Sequence, residues 1–173
     1  MPIPVNLPPT FADVLDKAEQ PLIGAWICSG SEAAAEIIAS AGFGWTLIDG
    51  EHAPYSLETI LSLLRATDAY GLTRVVRVPV NNTALIKQYL DLGAQNLMVP
   101  MIDTAEEAEA AAAAMHYPPR GVRGVGSALA RSSRWNGVEN YLANASDTVS
   151  LTVQIESATA VENVEEIVAV EGV

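Results

Sequence analysis

Cysteine is almost missing from this chain. Cys28 is the only one in 173 residues, so no disulfide can close within it. That suits a reducing compartment, and a cytoplasmic location is expected. Cations are scarce as well. Nine Lys and Arg stand against 21 Asp and Glu, a formal net charge of -12. Such a surface repels phosphate backbones and anionic membranes, so no nucleic-acid or membrane partner is expected. No apolar run approaches the ~20 residues needed to span a bilayer. Met1 to Thr10 is proline-rich and lacks a charged segment followed by an apolar one, so no signal peptide is expected. What remains is a globular composition, half hydrophobic and moderately charged, with enough length for one domain over residues 1–173 and a real core.

Short apolar strands alternate with amphipathic helices along the chain. Strands are expected at Leu22–Ile27, Trp45–Asp49, Arg74–Val78, Asn96–Met101 and Val149–Ile155. Between them lie helical segments with their own punctuation. Ser29-Gly30-Ser31-Glu32 reads as a capping box with Ser29 as the acceptor, and Gly42 stops the helix that follows. Ser56 caps a helix whose apolar face is Leu57, Ile60, Leu61 and Leu64, with Gly71 as its stop. Asn82 caps a helix ending at Gly93. Thr104 opens an alanine-rich helix over 105–116, which Pro118 and Pro119 terminate. The stretch 118–137, rich in Gly, Arg and Ser, reads as a long ordered loop. A short helix is expected around 138–145, and a longer one over 157–170.

Repeating strand–helix units imply a parallel sheet flanked by helices. An open doubly wound sheet and a closed (β/α)8 TIM barrel both fit this pattern. The Gly-x-Gly-x-x-Gly fingerprint is missing after the first strand, which favours the barrel. A barrel needs eight strands and ~200 residues or more. This chain supplies about the first five βα units.

In such a barrel, chemistry gathers where the strands end. Those ends carry Trp26, then Asp49 to His52, then Arg77, then Pro100 and Met101, then Gln154 and Glu156. Asp49 near His52 suggests a carboxylate that fixes an imidazole tautomer and makes its other nitrogen more basic. The structural alternative is an Asp49 that bonds backbone groups beside a solvated His52. Strand alternation puts Arg77 on the face of Val75, opposite Val76 and Val78. An arginine facing a barrel interior needs an anion, either a ligand or a neighbouring Asp or Glu. Gln154 shares a face with Glu156, which reads as a metal-binding carboxylate or as the N-cap of helix 157–170. The 118–137 loop holds Arg120, Arg123, Arg131 and Arg134, which suit an anionic substrate, a subunit contact or an internal ion-pair network. Its glycines do not join a strand to a helix, so it is not a phosphate loop. His116, at a helix end, is explained by a favourable helix-dipole contact. No lysine stands at a strand end, which disfavours Schiff-base chemistry.

Several runs are more specific than these patterns. They are Gly24-Ala25-Trp26, Leu47-Ile48-Asp49-Gly50-Glu51-His52-Ala53-Pro54, Val76-Arg77-Val78-Pro79, Gly93 to Met101, Tyr117 to Gly124, and Val153-Gln154-Ile155-Glu156-Ser157. Together they resemble the HpcH/HpaI aldolases, class II pyruvate aldolases on the phosphoenolpyruvate/pyruvate barrel. The likeness is strongest to members acting on 4-hydroxy-2-oxoheptanedioate and on 2-oxo-3-deoxy sugar acids.

The resemblance implies cleavage or formation of 4-hydroxy-2-oxo acids through a pyruvate enolate, with a 2-oxo acid and an aldehyde as small-molecule partners. It implies a divalent metal ion (Mg2+, Mn2+ or Co2+) held by Glu156 and by a second carboxylate in a Gly-Pro-x-Asp stretch that this chain does not contain. It implies Arg77 as the group that binds pyruvate and stabilises the enolate. His52, held by Asp49, would be the base, while Gln154 and Trp26 would line the substrate pocket. It further implies a homo-oligomer, a hexamer. A citryl- or malyl-CoA lyase type of the same barrel class and a non-catalytic fragment are the competing readings.

Overall fold

The computed structural model describes residues 5–173. Residues 1–4 of the proline-rich start, and so part of the stretch read as lacking a signal peptide, lie outside them. Among the described residues no helix is long and apolar enough to cross a membrane.

Five strands form one parallel sheet in chain order: β1 (Gly24–Ile27), β2 (Trp45–Asp49), β3 (Thr73–Arg77), β4 (Asn96–Val99) and β5 (Ser150–Val153). Parallel neighbours joined by helical crossovers are the building units of the partial TIM barrel. The crossovers are α2 (Glu32–Ser40), α3 (Leu57–Ala66), α4 (Thr83–Asp91) and α5 (Ala105–Met115). After β5 the expected helix over 157–170 is split into α7 (Ala158–Glu162) and α8 (Val164–Val168).

The register sorts the side chains onto two faces. Ile48, Val76, Leu97, Val99 and Leu151 point outward into one core with Ile60, Leu63, Leu64, Ile86, Leu90 and the alanines of α5. Small side chains on α5 let that helix sit close to its neighbours. Leu47 and Val75 point the other way, into a second cluster with Phe11, flanked by Trp45 and Met98. Phe11 belongs to α1 (Phe11–Asp16), a helix absent from the sequence reading. A reciprocal box between Thr10 and Asp13 starts it, and Asn96 accepts from the Phe11 N–H at 2.7 Å. This helix covers the inner face near the strand beginnings and leaves the strand ends for other groups. Gly24 is required at the β1 start, because a Cβ there would lie 2.2 Å from the Trp45 indole.

Ser56, Asn82 and Thr104 cap their helices as expected. At α2 the cap is Ser31 and not Ser29, whose hydroxyl instead accepts from the Ser31 N–H. Gly30 takes a left-handed φ of 68° that carries the chain into this cap. The α3 helix stops at Thr67, before Gly71, and the Thr67 hydroxyl donates back to the Leu63 carbonyl at 2.9 Å. The 118–137 loop is ordered. It contains two short 3-10 turns, Ser127–Leu129 and Arg131–Ser133. The expected helix around 138–145 is α6 (Tyr141–Asn144), followed by a 3-10 turn.

Candidate active site

The β2–β3 register places Asp49 directly beside Arg77. Both side chains are buried, at 4% and 7% exposure. The pair is bidentate: Arg77 Nε donates to Asp49 Oδ1 and Nη2 to Oδ2, each at 3.0 Å. Burial opposes both charges. For Asp49, the Arg77 guanidinium and the N–H groups of Glu51 and His52 outweigh that penalty and hold its carboxyl below the usual range. For Arg77, burial is outweighed by Asp49, then Glu51 and Glu156, so its cation is strengthened. Two charges out of water survive only with this kind of geometry.

Arg77 reaches further with its remaining nitrogen. Nη1 donates to Gln154 Oε1 at 3.3 Å and lies 3.0 Å from Glu51 Oε2. The Glu51 contact is one of charge only, for that buried oxygen has no aligned hydrogen bond. Trp26 lies over the guanidinium, 4.7 Å from its ring centroid, a cation–π contact. Gln154 Nε2 then donates to Glu156 Oε1 at 3.1 Å, and the Met101 N–H donates to Glu156 Oε2 at 3.0 Å. Met101 holds a left-handed φ of 52°. A non-glycine residue in that region stores about 1–3 kcal/mol of strain, which persists where surrounding contacts over-determine it. Here the strained residue aims its N–H at the Glu156 carboxylate.

The structure therefore brings Asp49, Arg77, Gln154, Glu156 and Trp26 into one connected group at the strand ends. Glu156 is not the helix cap; Ser157 does that by accepting from the Ala160 N–H. His52 follows the structural alternative of the sequence reading, a solvated ring beside an Asp49 that bonds backbone groups, and not the dyad. Asp49 accepts from its main-chain N–H at 3.3 Å, not from its ring. Because Arg77 already takes both Asp49 oxygens, the imidazole turns outward, 74% exposed, with Nε2 3.8 Å from Glu51 Oε2. Gly50 is required by close approach: a Cβ there would sit 2.5 Å from the Arg77 carbonyl oxygen, which accepts from the Gly50 N–H.

Glu51 and Met101 were missed as contributors. Glu51 lay in plain view inside the Asp49–Pro54 run, but strand alternation gives no guide once the strand has ended. Met101 was placed at a strand end, but nothing in the sequence marks its left-handed backbone or its N–H contact to Glu156.

A divalent ion would find one suited ligand here. Glu156 is exposed, its orientation is fixed by Gln154 and Met101, and each oxygen keeps a further lone pair. Among the described residues no three His, Cys, Asp or Glu side chains form a metal-holding group.

His116 is also corrected. It is buried, its Nδ1 lacks a partner, and burial, then Arg120 and Arg123, lower its pKa. A neutral imidazole gains little from a helix dipole, so packing accounts for it better.

A parallel β/α sheet with a buried cation and carboxylates converging at its strand ends is the arrangement of a partial (β/α)8 barrel. The chain belongs to the HpcH/HpaI aldolase/citrate lyase family, whose model matches residues 22–173. It is 53% identical over 176 residues to a hydroxypyruvate/pyruvate aldolase of Deinococcus radiodurans, covering 100% of this chain and 63% of that protein. It is 50% identical to a 4-hydroxy-2-oxo-heptane-1,7-dioate aldolase of Salmonella heidelberg, over 94% of this chain and 62% of that one. Among solved structures, a HpcH/HpaI aldolase/citrate lyase family protein of Burkholderia cenocepacia J2315 superposes with a TM-score of 0.88 at 40% identity. That match covers 93% of this chain and 65% of the other. The chain therefore spans less than two thirds of the length of these relatives.

Proposed function

We propose that the protein is a divalent-metal-dependent class II aldolase that cleaves or forms 4-hydroxy-2-oxo acids, exchanging pyruvate and an aldehyde. The observation that carries this reading is the continuous link from Asp49 through Arg77 and Gln154 to Glu156 at the strand ends. The names of the related aldolases support the substrate class.

In the cleavage direction, a base takes the proton of the hydroxyl on C4. The C3–C4 bond breaks, the aldehyde leaves, and the electron pair moves onto the C2 oxygen as a pyruvate enolate. Protonation at C3 completes pyruvate. Arg77, its cation strengthened and its plane fixed by Asp49, is placed to stabilise the enolate charge. His52, exposed at the end of β2, takes the hydroxyl proton through a water molecule. Trp26 and Gln154 line the pocket that receives the 2-oxo acid. Glu156 would hold the divalent ion (Mg2+, Mn2+ or Co2+), which would supply Lewis-acid polarisation of the 2-oxo group when bound. The protein acts as a homo-oligomer in a reducing cytoplasm, a location supported by its single cysteine.

His52→Ala should lower turnover roughly 10²-fold or more, the scale of losing a general base. Unchanged turnover would remove His52 from the mechanism. Arg77→Ala should lower turnover and pyruvate affinity together; if neither moved, Arg77 would be structural.

A further inference from the structure

Of the carboxylates grouped around Arg77, Glu51 alone has a buried oxygen standing idle. Both Asp49 oxygens accept from Arg77, and Oδ1 also accepts from the N–H groups of Glu51 and His52. Both Glu156 oxygens are engaged, by Gln154 and by Met101. Glu51 Oε2 is buried and accepts no hydrogen bond, although Arg77 Nη1 lies 3.0 Å away and His52 Nε2 3.8 Å away. Buried acceptors are nearly always satisfied, so an idle one calls for a donor.

The Arg77 nitrogen is aligned on Gln154 and gives Glu51 charge only. The His52 ring is the donor left to move. It is 74% exposed, while the backbone that carries it is fixed. Asp49 holds the N–H groups of Glu51 and His52, and the Arg77 carbonyl holds that of Gly50. Tyr55 ties the far end of the segment to β1, accepting from the Gly30 N–H and donating to the Ile27 carbonyl. Two side chains leave this fixed backbone side by side, and a turn of the ring closes the gap between them. Asp49 and Arg77, the other charged groups beside them, are already committed to each other.

We infer that Glu51, and not Asp49, is the positioning residue of the His52 ring. On closing, the Nε2–H donates to Glu51 Oε2. That fixes the tautomer and leaves the lone pair on Nδ1 to act as the base. The substrate hydroxyl proton passes through water to Nδ1, Nε2 keeps its own proton, and Glu51 stays a carboxylate facing an imidazolium. One buried anion then touches both the base and the cation that receives the enolate. The inference rests on the role proposed above for His52.

Nitrogen-15 NMR of the His52 ring tests it, on the protein with its histidines neutral. No substrate is needed, so the contact is decided even where the aldolase reading fails. The His52→Ala variant assigns the ring, because His116 is the other histidine. The wild type should show a single Nε2–H tautomer and Glu51→Ala a mixture of both, with an unchanged circular dichroism spectrum. Turnover should fall about tenfold or more in Glu51→Ala, at a KM within about twofold of the wild type. Glu51→Gln keeps the shape and loses the charge; its turnover should lie between the two, and it replaces the alanine variant if that one misfolds. In a His52→Ala background, removing Glu51 should cost nothing further, as for residues that act as a unit. A tautomer that ignores Glu51, or a full further loss in the double variant, would overturn the proposal. The second result would assign the effect of Glu51 to Arg77 instead.

Discussion

Two charge clusters in this molecule are near mirror images. At the strand ends one guanidinium, Arg77, faces Asp49 and Glu51, with Glu156 one side chain further on. Beside the start of β3 one carboxylate, Asp68, faces Arg74 at 3.1 Å, Arg131 at 3.0 Å and Arg134 at 3.9 Å. The first cluster has excess negative charge and an exposed carboxylate, so it attracts a cation. The second has excess positive charge and is built mostly from buried side chains. Its strain shows in Arg131, whose pKa burial and the neighbouring Arg134 push down to about 10. The first presents groups to a ligand; the second ties α3, β3 and the 118–137 loop together. Arginine in an apolar setting is thus no guide to function until its partners are known.

The largest expected effect tests the first cluster. Arg77→Ala leaves Asp49 buried and unpaired, and breaking such a pair costs about 3–5 kcal/mol. Urea unfolding should show that loss; a change below about 1 kcal/mol would mean that water reaches Asp49 freely. A smaller effect is expected at the second cluster. Asp68→Asn removes the shared anion, but Asp68 is 41% exposed, so solvent screening reduces the cost to about 1–2 kcal/mol. The same variant should speed tryptic cleavage after Arg131 and Arg134. An unaltered cleavage rate would separate the loop's order from Asp68.

The smallest effect concerns pH. His116 and Asp49 both have folded pKa values below their ordinary ones. In each case the unfolded chain takes up the proton first as pH falls. The His116 contribution is therefore complete above its ordinary value near 6.5 and is lost on acidification through the lower folded value. Asp49 repeats this in the more acidic range below about 4. The urea midpoint should fall between pH 7 and pH 5, and His116→Gln should flatten that fall. A midpoint that rises on acidification would reverse the assignment.

Much of this fold was legible. β2 matched residue for residue, and Ser56, Asn82 and Thr104 cap their helices, because capping chemistry and strand alternation are local signals. Helix α1 escaped, since its six residues offer little periodicity and its burial depends on Asn96, 85 positions away. The strand-end residues were found because the barrel rule names the place. Their pairing was not. Asp49 was left between the His52 ring and backbone groups, Arg77 between a ligand and an unnamed Asp or Glu, and only the parallel register reveals the two as neighbours. An internal ion-pair network was one of the readings of the loop arginines, but Asp68 as its centre was not foreseen, because long-range ion pairs leave no pattern along the chain.

The most direct test of the account is pyruvate release from 4-hydroxy-2-oxo acids by the protein, after EDTA and again with added Mn2+, beside its Glu156→Gln variant. The account predicts release that EDTA abolishes and Mn2+ restores in the wild type, with little restoration in the variant. Release unaffected by EDTA, or equal restoration in both proteins, would contradict Glu156 as the metal-holding carboxylate of a class II aldolase.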